Sequence, residues 1–323
     1  MVVSFLALAF THRASAQRNP VNPPRLGAAP NVASTSLTSV TMRNVDFHIG
    51  TGVVLRIRRL RGEMHPLTHG VVDFDDVNSY LLDIGTAEVA LTGDDLTNLM
   101  NKYVFNYPGA PLSHLRVDVT PEGIRQRGTL HKGVDIPFDM TASVSLAPDG
   151  RLKLHPTKMK IFDVSGGTLM GALGITLEKL MDLSKAKGIS VKGNDLFLDA
   201  LAVFPPPQIR GTISSVRIEG DRMVQTIGPA ADSALPAMTI DKAALNYMHY
   251  TGGTLHFGRL YMTDADMLVV DADQNTPFDF DNPNYQKQLV AGRSKTTASL
   301  GLEVWMPDAS TLDVGRAVPV PKP

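Results

Sequence analysis

The residue types that carry most catalytic and metal chemistry are sparse or unfavourably spaced in this chain of 323 residues. His65 and His69 stand four residues apart, but Pro66 lies between them and no glutamate completes a metalloprotease arrangement. The chain has no cysteine, which excludes disulfides, thiol catalysis and thiolate metal sites. It also lacks the signatures of nucleotide-binding proteins and of the common serine hydrolases. The sequence therefore predicts no catalytic residue and no cofactor, and we expect the protein not to be an enzyme.

A run of carboxylates in the C-terminal third begins like a calcium-binding loop. Thr276 stands where such a loop needs a glycine, and Asn282 stands where it needs a bidentate glutamate. Solvated strand faces and turns explain the same residues more simply, so no metal site is predicted. A structural calcium ion would draw on four carboxylates: Asp271, Asp273, Asp279 and Asp281.

Charge and composition limit the class of partner. The chain has 31 basic and 32 acidic residues and a formal net charge of -1, which lacks the basic excess of a nucleic-acid-binding protein. Hydrophobic residues make up 43 % and charged residues 20 %, in the proportions of a globular protein. One basic group is local, and two interpretations stay open for it: contact with anionic lipid headgroups, or a solvated strand edge blunted by charge. Its members are Arg56, Arg58, Arg59 and Arg61.

The N-terminal residues have the pattern of an export signal. An apolar run at 2–10 precedes Ala14, Ser15 and Ala16, which fit a small-residue cleavage site. A membrane-spanning helix needs about 20 apolar residues, so this run is too short to cross. The sequence predicts a signal peptide at 1–16, a proline-rich leader at 17–36 and a periplasmic or secreted protein; a disordered apolar N-terminus is the alternative.

Residues 37–91 alternate between apolar and polar, as antiparallel strands do. The alternation changes phase at Arg58 and Arg59, which indicates a β-bulge or, alternatively, a loop. The period then changes to that of a helix over 94–105, with Thr92 as its N-cap and a stop at Pro108 and Gly109. Strands resume over 115–164, joined by Pro-Glu-Gly and Pro-Asp-Gly turns.

A second helix is predicted over 168–185. No charge occurs from Val164 to Leu177, and four glycines lie in or beside this stretch. Because an interior glycine costs a helix ~1 kcal/mol relative to alanine, such a sequence suggests close backbone approach or deformability. A helix enclosed by a curved sheet or beside a cavity would need both, whereas the alternative is a glycine-rich helix in an ordinary core.

The order of segments over 91–228 resembles the bacterial envelope phospholipid-binding family of the tubular lipid-binding (TULIP) superfamily. The residues that carry the resemblance are LTGDDLTNLMNKYVF, the turn-linked strands, LMGALGITLEKLM, and NDLFLDALAVFPPPQIRGTISSVRIEGDRMVQTIG. The resemblance implies an α+β fold in which a highly curved antiparallel sheet wraps around a long helix. It also implies a lipid-binding domain at 37–228, and a β-rich segment at 239–306 would complete or extend the sheet before a flexible tail at 307–323.

The function implied by the resemblance is that of an exported protein that holds acyl chains in an elongated apolar cavity and carries lipid across the envelope. The implied partners are a phospholipid or other acyl lipid, a membrane surface in transient contact and an envelope transport partner. If the second helix lies along the cavity, the residues expected to contact lipid are Leu99, Met100, Tyr103, Phe162, Leu169, Met170, Leu173, Leu177, Leu180, Met181, Leu198 and Phe204. Two alternatives remain at this point: a structural β-rich envelope protein without ligand, and an envelope hydrolase without a recognisable motif.

Overall fold

The computed structural model describes residues 37–161, 176–229 and 244–312. Strand accounts for 56 % of these residues and helix for 12 %, so sheets determine the architecture. The helices are α1 (Gly93–Leu99), α2 (Leu177–Leu180) and α3 (Tyr285–Ala291). In chain order, the strands are β1 (Thr38–Gly50), β2 (Val53–Pro66), β3 (Val72–Asp73), β4 (Tyr80–Thr92), β5 (Leu112–Thr120), β6 (Gly123–His131), β7 (Asp135–Leu146), β8 (Leu152–Ile161), β9 (Ile189–Lys192), β10 (Asp195–Leu198), β11 (Gln208–Arg210), β12 (Ile213–Glu219), β13 (Arg222–Ile227), β14 (Tyr247–Thr251), β15 (Thr254–Phe257), β16 (Leu260–Thr263), β17 (Asp266–Asp271), β18 (Phe278–Asp281), β19 (Arg293–Thr296) and β20 (Leu302–Met306).

The largest sheet within the described residues has eleven strands and forms a half-barrel. Its main path runs β12-β13-β4-β2-β1-β14-β17-β20-β19, while β11 pairs with β4 and β18 pairs with β1. Three of its pairings are parallel, namely β1 with β18, β4 with β11 and β17 with β20. Strands from the predicted C-terminal segment therefore extend the sheet that the first strands begin.

The long strand β2 confirms the predicted β-bulge. Its pairing with β4 shifts register between Ile57 and Arg59, where the alternation of the sequence changes phase. The shift lets Ile57 and Leu60 both face the interior, at 3 % and 1 % exposure. The strand-edge interpretation of the arginines is wrong, because β2 lies between β4 and β1 inside the sheet.

Three of the four arginines on β2 are paired with carboxylates. Arg56 forms an ion pair with buried Asp95, and Arg58 lies 2.7 Å from Glu88 and 2.6 Å from Glu219. Arg59 also reaches Glu88, at 3.4 Å. These contacts neutralise most of the basic group within the protein.

Six strands form a second, wholly antiparallel sheet in the order β5-β6-β7-β8-β10-β9. The predicted Pro-Glu-Gly turn joins β5 to β6, and the predicted Pro-Asp-Gly turn joins β7 to β8. Their glycines, Gly123 and Gly150, have φ values of 133° and 82°. A small third sheet, again among the described residues, has the order β16-β15-β3.

The first predicted helix is confirmed, with a change near its end. The Thr92 side chain caps α1, and Asp95 returns the bond to the Thr92 backbone, which together form a capping box. A π-helical turn at Met100–Val104 follows α1. Gly109 then adopts a left-handed φ of 78°, as expected where a Pro-Gly pair ends a helix.

The prediction of a sheet wrapped around a long helix is wrong. Of residues 168–185, those that the structure describes contain only the single turn α2. Thr176 before this turn and Met181 after it both have extended backbones, so no helix can continue through either. The reason is tertiary: the Leu177 N–H bonds the Asn194 side chain and the Glu178 N–H bonds the Gly193 carbonyl, which fix the turn to the β9–β10 connection.

Several predictions fall outside the described residues. They include the signal peptide at 1–16, the leader at 17–36, most of the tail, and four of the expected lipid contacts: Phe162, Leu169, Met170 and Leu173. No helix in the part of the chain that the structure describes has the length and apolar character needed to cross a membrane.

Candidate functional site

An open cleft of about 560 Å³ lies beside the segment that follows α2. Its volume is within the range of about 300–1,000 Å³ that is usual for small-molecule sites. Apolar side chains form one part of the lining: Met181, Leu183, Ala186, Ile189 and Val191. Polar and charged side chains form the rest: Lys132, Glu178, Lys179, Asp182, Ser184 and Ser190. We call this opening the lysine cleft; its lining is suited to an amphiphilic molecule.

Hydrogen bonds fasten the segment beside the cleft at its two ends. At the start, the Glu178 carboxylate accepts the Gly193 N–H at 2.8 Å. At the end, the Asp199 N–H donates to the Gly188 carbonyl at 2.7 Å, and Lys187 Nζ donates to the Phe204 carbonyl at 3.2 Å. Between these points the chain makes local turns, so the middle of the segment forms an irregular wall.

A smaller pocket of about 220 Å³ adjoins the lysine cleft and shares Lys132 and Asp182 with it. Tyr107 and Gly109 from the loop after the π-helical turn form one side, and His131 from the end of β6 forms another. We call this opening the tyrosine pocket. Its remaining lining residues are Pro111, Leu180 and Lys185.

The charges around the tyrosine pocket are partly balanced. Hydrogen bonds from Ser184, together with nearby Lys185 and Lys132, lower the pKa of Asp182. Burial and the charge of Asp182 raise the pKa of the Tyr107 hydroxyl, which therefore stays protonated at neutral pH. His131 is engaged at both nitrogens, by Asp135 at 2.6 Å and by Ser113 at 2.8 Å.

An enclosed apolar space lies next to the cleft, against the six-stranded sheet. It holds about 20 Å³, and three methionines, Met140, Met159 and Met181, belong to its lining. We call it the methionine cavity. Met181 also lines the lysine cleft, so it is common to the open, charged space and to the apolar one.

The half-barrel contains a second apolar space, of about 30 Å³. It is lined by side chains such as Met42, Leu60, Met64, Phe74 and Ile209. Like the methionine cavity, this space could take an acyl chain only if the side chains around it moved.

The expected lipid contacts that the structure describes occupy different environments. Leu180 lines the tyrosine pocket, and Met181 lines the lysine cleft and the methionine cavity. Leu177, Leu198 and Phe204 are buried, at 2 %, 7 % and 6 % exposure. They belong to the same apolar core cluster as Leu99 and Met100.

Tyr103 lies away from the lysine cleft. Its hydroxyl oxygen accepts the Thr51 N–H at 2.7 Å, beside the turn between β1 and β2. The sequence analysis did not identify Tyr107, Lys132 or Lys185, which are 25 to 78 residues apart and come together only in the fold. No local motif links them; the uncharged, glycine-bearing stretch before α2 was the nearest sequence signal.

One group among the described residues has the geometry to hold a metal ion. Ligand atoms of Asp73, Asp75 and His256 lie within 4.8 Å of one another. They already have protein partners: His256 Nδ1 lies 2.8 Å from Asp73, and Asp75 accepts hydrogen bonds from Tyr285 and Gln286. This arrangement favours a structural role for the group. The four carboxylates considered for calcium are not gathered in this way in the described residues.

Comparisons with known proteins give no relative for this chain: no family model, no curated protein and no solved structure matches it.

Proposed function

We propose that this protein binds an acyl lipid, whose polar end lies in the lysine cleft and whose chain extends past Met181 into the methionine cavity. One observation carries the proposal: Met181 lines both an open, charged cleft and an apolar cavity. An amphiphile is likewise polar at one end and apolar along the rest of its length. Binding of this kind requires no covalent step.

The methionine cavity must widen to take a chain, since it holds only about 20 Å³. Methionine suits this requirement because its unbranched, flexible side chain adapts to irregular contacts. Each methylene group that moves from water to the interior contributes ~0.8 kcal/mol, so a few methylenes offset the cost of moving these side chains. The polar end then remains in the cleft, where lysine and serine side chains can solvate it.

Native mass spectrometry tests the proposal directly. The protein is incubated with vesicles of phosphatidylglycerol and phosphatidylcholine, and the vesicles are then sedimented. The mass of the protein left in solution shows whether it carries a bound lipid. Met181→Trp is expected to fill the methionine cavity and abolish the complex. Met64→Trp is the matched control, because it places the same ring in the half-barrel cavity.

Both substitutions overpack a buried site and should each cost about 1–3 kcal/mol of unfolding free energy. Only Met181→Trp should remove the lipid. If the wild-type protein binds no lipid, or if Met64→Trp alone removes it, the proposed site is wrong. A wild-type protein without lipid would instead favour a structural role.

A further inference from the structure

The tyrosine pocket contains a hydrogen-bond donor without a partner. The Tyr107 hydroxyl oxygen is inaccessible to solvent and makes no hydrogen bond within the described part of the protein. Buried polar groups are satisfied in the great majority of cases. Because Tyr107 lines the pocket, a small rotation of its side chain would expose the hydroxyl to an acceptor bound there. The hydroxyl is protonated at neutral pH, as its raised pKa requires, and can donate.

Two cations face the same space. Lys132 uses one N–H on the Lys179 carbonyl, at 3.1 Å, and an ammonium group has two more to donate. Lys185 also lines the pocket, and both lysines have exposed side chains. Their charges reach Asp182, whose pKa they help to lower. An incoming acceptor that bears negative charge would be held by charge-assisted bonds.

The single carboxylate in the lining limits the charge of the ligand. Asp182 is ionised and offsets one lysine, while both nitrogens of His131 are already engaged. With the paired His131 and Asp135 left out of the count, the lining side chains carry a formal excess of one positive charge. A singly charged oxyanion matches this excess better than a doubly charged phosphate does.

We propose that the tyrosine pocket binds a singly charged oxyanion, such as a phosphodiester or a carboxylate, through Tyr107, Lys132 and Lys185. For an oxyanion that is the headgroup of an amphiphile, the inference rests on the proposed function, because the pocket shares Lys132 and Asp182 with the lysine cleft. The lipids selected would then be those whose polar end carries one negative charge.

Native mass spectrometry with three separate lipids tests the selection: phosphatidylglycerol, oleate and dioleoylglycerol, which has no charge. The wild-type protein should prefer at least one charged lipid over dioleoylglycerol. Lys185→Gln and Tyr107→Phe should each reduce that preference, the former by about tenfold, as expected for loss of a charge-assisted bond. Lys192→Gln is the control, since this exposed lysine lies on β9 outside the pocket.

The two proposals can fail separately. Equal binding of charged and neutral lipid by the wild type would overturn the oxyanion site and leave lipid binding intact. If no lipid binds, dimethyl phosphate, a singly charged phosphodiester without a chain, tests the pocket alone. It should then raise the melting temperature of the wild type but not that of Lys185→Gln; no difference between them would also reject the site.

Discussion

The apolar face of the half-barrel and that of the six-stranded sheet are covered in different ways. In the half-barrel, regular strands and an aromatic cluster close the interior: Phe74 packs against Tyr80, Tyr250, Phe257 and Tyr285 at centroid distances of 5.1 to 5.9 Å. The six-stranded sheet has an irregular segment beside it, fastened mainly at its ends. Paired strands satisfy one another's backbone groups as they cover a core, whereas an irregular wall leaves openings between its turns.

Within the described residues, the larger free volumes therefore lie on the side with less regular structure. The half-barrel holds an apolar space of about 30 Å³, whereas the lysine cleft and the tyrosine pocket on the irregular side hold about 560 and 220 Å³. We therefore expect stability and ligand binding to depend on different regions of the protein. Substitutions in the half-barrel should affect unfolding, and substitutions beside the cleft should affect ligands.

The largest effect on stability is expected at Asp95, at the junction of α1 with the half-barrel. Its carboxylate is 3 % exposed and accepts hydrogen bonds from Arg56, from the Val54 N–H at 3.0 Å and from Thr92. Asp95→Ala leaves these donors unpaired and should lower the free energy of unfolding by about 3–5 kcal/mol. Urea denaturation measures the change. The exposed neighbour Asp94 is the control, and Asp94→Ala should change stability by less than about 0.5 kcal/mol.

A pair of leucine truncations compares the two regions directly. Leu60 is 1 % exposed inside the half-barrel, and Leu183 is 5 % exposed beside the lysine cleft. Leu60→Ala should cost about 2–5 kcal/mol, because a closely packed site cannot collapse around the void. Leu183→Ala should cost about 2 kcal/mol, at the lower end of this range, since its irregular surroundings can relax. Equal costs would show that the wall of the cleft is packed as rigidly as the half-barrel.

Acid titration should have opposite signs in the two regions. Burial raises the pKa of Asp271, at the end of β17, to about 6. This carboxyl is protonated more readily in the folded than in the unfolded chain, so its contribution is most favourable below pH 3.8 and is lost as the pH rises through about 6. The loss amounts to about 2–3 kcal/mol, and Asp271→Asn should remove it from the pH dependence of unfolding.

Asp182 beside the cleft provides the contrast. Its pKa is lowered, so its stabilising contribution is present above pH 3.8 and lost as the pH falls through the lowered value. Asp182→Asn should therefore reduce stability at neutral pH relative to acidic pH, opposite to Asp271→Asn. The same sign for both variants would contradict the assignment of their environments.

Local features of the fold were predictable from the sequence because their causes are local. The capping box needs only Thr92 and Asp95, and the bulge on β2 leaves a phase change in the alternation. Of the helix predicted over 168–185, the described residues 176–185 contain only the turn α2. Its described part is governed by contacts with Asn194 and Gly193, which lie outside the periodic window.

The candidate site was predicted only in part for the same reason. Leu180 and Met181 were identified as apolar positions of a helix, and the structure places both at the openings described here. The polar members come from a loop, a hairpin turn and an irregular segment. Isolated lysines and tyrosines on such elements have no periodicity that a single sequence could reveal.

The pairing of β1 also has a consequence for how the chain folds. This strand pairs with β14 and β18, so Val40 lies opposite Tyr250 and Phe47 opposite Phe280, more than 200 residues later. Contacts of such sequence separation form slowly, because the loop between them must close first. During synthesis one edge of β1 remains unpaired until almost all of the protein has been made, and an unpaired edge is prone to aggregate. The early β1–β2–β4 sheet therefore has an exposed edge until these distant partners are made.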